Sequence, residues 1–174
     1  MNQIFILTII FIFLTILVES INLILQLKGK KLTRWFGKKA FNFHMIITGI
    51  FWIITFCFIV LLQFEKHPLF HDNLILKYIG LILLILGITL AVWAFKLIGL
   101  KRALCINFFK EDIPIVKSSL YGYIKNPMDI GFWTALMGFA LFTKSFYNLV
   151  IAIEFIVIMI PHIMLENIPI RLHN

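Results

Sequence analysis

Asn126, Pro127 and Asp129, within residues 118–131 (SSLYGYIKNPMDIG), and Glu166 near the C-terminus are the residues whose types and spacing can do chemistry in this chain. Asn126 and Pro127 stand where a basic, mixed-polarity segment gives way to an apolar run. An Asn oxygen accepts from an unpaired backbone N–H at a helix start, and Pro in the first turn has no hydrogen bond to lose. The predicted helix therefore begins at this pair. Its free N–H groups and positive dipole end suit a carboxylate or phosphate at a membrane surface. The same residues also read as nothing more than a capped helix start. Glu166, at the polar end of another apolar run, suits amino or hydroxyl groups as donors to its carboxylate.

The elements that must position these residues are membrane helices. Of 174 residues, 61% are hydrophobic and 14% charged, and the mean hydropathy is +1.01, far from a soluble domain's balance. The chain reads as one all-α transmembrane domain over residues 1–174, with five predicted spans at 4–27, 45–62, 74–98, 128–143 and 146–165. Three of them occupy the N-terminal part, 1–98. The remainder, 99–174, carries a long polar loop, a helical hairpin and a short tail. The first span lacks a basic lead and a small-residue cleavage site, so it reads as a retained helix.

All of the 16 Lys and Arg residues except Lys66, Lys77 and Lys144 fall in the first and third connections and the tail, counting with the third connection Lys96, which can snorkel from the end of the third span. By the retention of basic residues inside, the N-terminus is expected outside. The 99–125 loop, the Asn126–Pro127 turn, Glu166 and the C-terminus are then expected to face the cytoplasm. This placement accounts for the formal charge of +8 without nucleic acid. Residues 28–44 interleave six basic side chains with Trp35, Phe36 and Phe41, a pattern for an interfacial segment on anionic lipid. Glu19 and Asn22 interrupt the first span, and Glu19 reads either as functional or as reaching the interface. His67 and His71 are read as loop histidines, Cys57 and Cys105 as unpaired, and no metal site is expected. Pro161 is expected to kink the last helix.

The segment LYGYIKNPMDIG resembles the GPYRYVRHPMYLG block of the isoprenylcysteine carboxyl methyltransferase and phospholipid methyltransferase superfamily. Upstream, GLKRALCINFFKEDIPIVKSS is comparable to that family's basic loop with its acidic pair. Downstream, residues 162–167 are comparable to its RIxxEE carboxylate motif. The resemblance covers residues 99–167. Ser119 and Leu120 stand for Gly-Pro, Lys125 and Asn126 for Arg-His, Asp129 for Tyr, and Glu166-Asn167 for the Glu pair.

This resemblance implies an integral-membrane enzyme that uses S-adenosylmethionine and acts on a lipophilic acceptor. Tyr121, Tyr123, Lys125, Asn126, Pro127 and Glu166 would bind the cofactor. Glu166, Asp129 and Arg171 would serve the catalytic step. A prenylated-cysteine carboxylate is the first acceptor class and a phospholipid amine the second. A non-catalytic membrane protein on a degenerate methyltransferase fold is the third reading.

Overall fold

The computed structural model describes residues 2–65, 73–109, 119–124 and 126–166. Among the described residues seven α-helices follow one another: α1 (Gln3–Leu27), α2 (Lys31–Phe36), α3 (Ala40–Leu62), α4 (Leu74–Ala103), α5 (Leu120–Tyr123), α6 (Pro127–Thr143) and α7 (Phe146–Glu166), with short 3-10 turns at Gly37–Lys39 and Ile106–Phe108. The described residues contain no strand. Four segments, Gln3–Leu27, Lys31–Leu62, Leu74–Leu100 and Phe146–Leu165, are long and apolar enough to cross a bilayer. The expected fourth span, α6, forms with 17 residues, about 26 Å at the helical rise against a hydrocarbon core of roughly 30 Å. The all-α membrane bundle is thus as the sequence predicts, with α6 the short member.

One helix boundary departs from expectation. The 3-10 turn at Gly37–Lys39 runs directly into α3, so the second long helix starts at Ala40 instead of 45, and His44 is a buried helical residue. Gly99 (φ 72, ψ 161) breaks α4 where the third span was expected to end. Pro161 lies inside α7, and helix continues on both sides of it. His67, His71 and the acidic pair Glu111 and Asp112 lie outside the described residues, and no disulfide joins Cys57 to Cys105.

The chain forms two compact units, one of residues 1–62, 101–115 and 158–174, the other of 63–100 and 116–157. In the first unit α1 packs against α3, and its buried residues Phe5, Thr8, Ile12, Thr15, Asn22 and Gln26 follow a seven-residue repeat. His44, Thr48, Thr55 and Leu62 form the matching row on α3. The helices run antiparallel in defined layers. Phe11 stacks on Phe58 at 5.0 Å, Thr15 shares a 2.7 Å hydrogen bond with Thr55, and Trp52 Nε1 donates to Glu19 at 3.4 Å.

Polar residues line this seam, while Ile46, Ile53 and Phe56 of α3 are each more than 60% exposed. That inversion is what lipid as solvent requires. Apolar side chains lose nothing by facing acyl chains, so helices associate through close packing and interhelical hydrogen bonds. Gln26 pins the basic connection beneath the seam, donating to Thr33 Oγ1 at 2.8 Å and to the Phe108 carbonyl at 3.1 Å.

The second unit is built on a glycine ladder. A Cβ placed on Gly80, Gly87, Gly131 or Gly138 would lie 2.3–2.5 Å from a backbone nitrogen of the opposing helix, α4 against α6. Only hydrogen at these positions lets the backbones come so close, and the contact area gained holds the pair together in lipid. At the far end of α6, Lys144 (φ 53) turns the chain and α7 begins two residues later. Gln63 and Asn148 exchange two amide hydrogen bonds of 3.0 Å, and Asn148 also donates to Thr143 at 2.9 Å.

Candidate functional site

The methyltransferase-like block threads from a strained residue into α6. Ser119 has φ 58, in the left-handed region where a side chain is disfavoured and glycine is not. It stands where the resembling block carries Gly, the residue that takes this conformation without strain. The single turn of α5 follows, Ile124 is extended, and Asn126 takes the N-cap position with Pro127 at the first helical residue. The helix start is where the sequence predicts it, but the capping chemistry differs, because the Asn126 side chain makes no capping hydrogen bond. Its backbone carbonyl accepts from Ile130 at 3.2 Å. Asp129 lies in the first turn and is 9% exposed, which sets an acid against the positive end of the helix dipole. Gly131, the last residue of the block, meets Ala91 of α4 backbone to backbone and fixes the height of the α6 start against α4.

The predicted site residues divide by unit. In the second unit Tyr121 is half-buried, its hydroxyl 3.5 Å from the Ala94 carbonyl of α4, while Tyr123 is 95% exposed. Pro127 and Asp129 are buried and Asn126 is half-buried. Lys125 lies outside the described residues. In the first unit Glu166 is the last residue of α7, described here by its backbone alone, and Arg171 lies outside the described residues.

One group near Glu166 was not legible as a site. His162, one helical turn before Glu166, is 2% exposed, and its Nδ1 is 2.9 Å from Ser20 Oγ of α1. His44 of α3 is 1% exposed and lies within electrostatic range of His162. The Nδ1 of His44 and the Nδ2 of Asn22 are buried without a hydrogen-bond partner. In the sequence Ser20 is a small polar residue in a greasy run. His162 is one of five histidines, and only the α1–α3 repeat brings His44 and Asn22 onto an inner face.

Comparison with curated proteins and with solved structures gives no significant match. The family model for phospholipid methyltransferases matches residues 76–168. The match takes in the Asn126–Pro127 helix start, Asp129, His162 and Glu166. It includes all of residues 99–167, the stretch that resembles the methyltransferase family, and extends upstream into α4, so it also takes in both sides of the glycine ladder. The superfamily so matched is one of integral-membrane methyltransferases that includes the isoprenylcysteine carboxyl methyltransferases. With more than half of its length inside that match, and with four helices fit to cross a bilayer, the chain belongs to the phospholipid methyltransferase family.

Proposed function

We propose that this protein transfers a methyl group from S-adenosylmethionine to the amine of a phospholipid at the cytoplasmic face of the membrane. The observation that carries the reading is the family match over residues 76–168, which spans a helix start bearing a buried acid, Asp129, in its first turn. The residues present fit the cofactor. Asn126 leaves the N–H groups of that turn uncapped by its side chain, a fit for a carboxylate, and Asp129 suits a cationic group. S-adenosylmethionine supplies an electrophilic methyl carbon on a positively charged sulfur.

The protein's own work is to bind, align and exclude water. An ammonium acceptor must first lose a proton, which the Asp129 carboxylate in the first turn of α6 receives and passes to water. The neutral amine so formed would be the acceptor for the methyl carbon, which S-adenosylmethionine would supply with its sulfur leaving as a neutral thioether. Tyr121 and Tyr123 offer aromatic faces for a cation. Lys125 and Arg171 suit the acceptor's phosphate. The cytoplasmic orientation rests on the basic residues, of which Lys28, Lys30, Lys31, Arg34, Lys38 and Lys39 are all exposed.

The test is transfer of labelled methyl from S-adenosylmethionine into aminophospholipids reconstituted with the purified protein. Asp129→Asn is expected to lower kcat/KM by about 100-fold or more if it handles the proton. Incorporation into a prenylated-cysteine carboxylate and not into any aminophospholipid would shift the acceptor to the prenylated-cysteine class, which the resemblance also implies. No incorporation into either would refute methyl transfer to a lipid acceptor.

A further inference from the structure

We propose that Ser20 of α1 is a positioning residue for the methyl-transfer site, acting through His162 on Glu166. The inference rests on the reading of Glu166 as a cofactor-binding carboxylate. It goes beyond that reading by giving the chain's N-terminal helix a role in the chemistry.

The family match begins at residue 76, yet the compact unit that contains the end of α7 is otherwise built from residues 1–62 and 101–115. Within that unit the Ser20–His162 hydrogen bond, 2.9 Å long, joins residues 142 apart in sequence. His162 and Glu166 are four residues apart on one helix, positions that share a helix face one turn apart. The Ser20 hydroxyl is thus bonded to an imidazole that stands one helical turn before position 166 at the end of α7. A hydrogen bond at one imidazole nitrogen sets the tautomer and the ring angle, and so decides what the other nitrogen offers.

Stability alone does not account for this polar layer. Asn22 Nδ2 and His44 Nδ1 sit in the same unit buried and unpartnered. Each unmade hydrogen bond is a cost that an apolar side chain of similar shape would avoid. Polar residues held at such a cost inside a membrane bundle serve a site.

The test is calorimetric binding of S-adenosylmethionine to the detergent-purified full chain and to Ser20→Ala, Ser20→Thr and Glu166→Ala, with the Tm of each recorded. The ring signals of His162 are followed by nitrogen-15 NMR without cofactor. Ser20→Ala is expected to weaken binding about five-fold or more, the loss of one hydrogen bond, and to shift the His162 Nδ1 signal. Ser20→Thr, which keeps the hydroxyl, is expected to restore both.

Unchanged binding in Ser20→Ala beside a defective Glu166→Ala would overturn the proposal and leave the cofactor site standing. Equal weakening in Ser20→Ala and Ser20→Thr would reduce Ser20 to packing and overturn it as well. Wild-type binding that Glu166→Ala leaves intact would remove Glu166 from the cofactor site and refute the relay with it. An unshifted His162 signal in Ser20→Ala would refute the hydrogen bond itself.

Discussion

Gly87→Ala adds one carbon at the point where α4 and α6 run closest. That carbon would lie 2.3 Å from the backbone nitrogen of Ala135, 2.6 Å from the Gly131 carbonyl oxygen and 2.7 Å from the Ala135 Cα. Ordinary contact begins at 3.4 Å, so the shortfall is about 1 Å. All three opposing atoms are backbone, and no side chain can rotate away. The helices must separate. An opening of 0.5–1 Å forfeits about a quarter to a half of each dispersion contact along the seam, including those at Gly80, Gly131 and Gly138.

Overpacking of this kind costs about 1–3 kcal/mol, while replacing Gly by Ala within a helix returns about 0.5–1 kcal/mol. The expected net loss is about 1–2 kcal/mol, roughly 5- to 30-fold in the folded-to-unfolded ratio. Gly49→Ala on α3 is the internal control, since a Cβ there meets nothing within 4 Å. It keeps the propensity gain without the clash. Unfolding of the purified protein in mixed micelles of increasing SDS content measures both. Gly87→Ala unfolding at or above the wild-type midpoint, together with Gly49→Ala, would refute the close approach of α4 and α6.

Three further perturbations test separate features. Ser119→Gly relieves a side chain held at φ 58 and should raise stability by about 0.5–1 kcal/mol, the gain in backbone freedom being partly offset by the more flexible unfolded chain; a lowered Tm would count against the left-handed turn. A double-mutant cycle of Thr15→Val and Thr55→Val should return a coupling near 0.6 kcal/mol, the usual size for interhelical hydrogen bonds in membranes, and no coupling would deny the 2.7 Å contact. Asn148→Leu should cost about 1 kcal/mol, the usual worth of a hydrogen bond, and its double-mutant cycle with Gln63→Leu should return a coupling of similar size; an additive double variant would contradict the reciprocal pair.

Features set by local chemistry were legible in the sequence, and those set by pairing between distant helices were not. The start of α6 at Pro127 and the end of the third span at Gly99 follow from the conformational limits of Asn, Pro and Gly, which act within a residue or two. Glu19 and Asn22 were visible as interruptions of an apolar run. Their meaning required the α1–α3 register, in which Thr8, Thr15 and Asn22 recur every seven residues on a shared inner face. Hydropathy hides such a face, because in lipid the inner side is the more polar one. The glycines are equally suggestive after the fact, since Gly80 and Gly87, like Gly131 and Gly138, are seven residues apart. Nothing in one chain segment says which other segment will meet it. The boundary at 45 failed for a simpler reason. Basic residues at 38 and 39 marked a loop by composition, while the backbone there had already turned into helix.

The Ser20–His162 contact also has a temporal side. Its partners are separated by 142 residues, which at about 5–20 residues per second places some 7–28 s between the synthesis of one and the other. Through that interval α1 and α3 must wait in the bilayer with Ser20, Asn22 and His44 lacking the helix end that completes their unit. A nascent chain in this condition exposes polar groups to lipid or to the insertion machinery for as long as translation takes. The last turns of α7 are therefore the step that ends its dependence on protection during biogenesis, and truncations before Ile158 are expected to be cleared by membrane proteases even though the earlier helices have already been inserted.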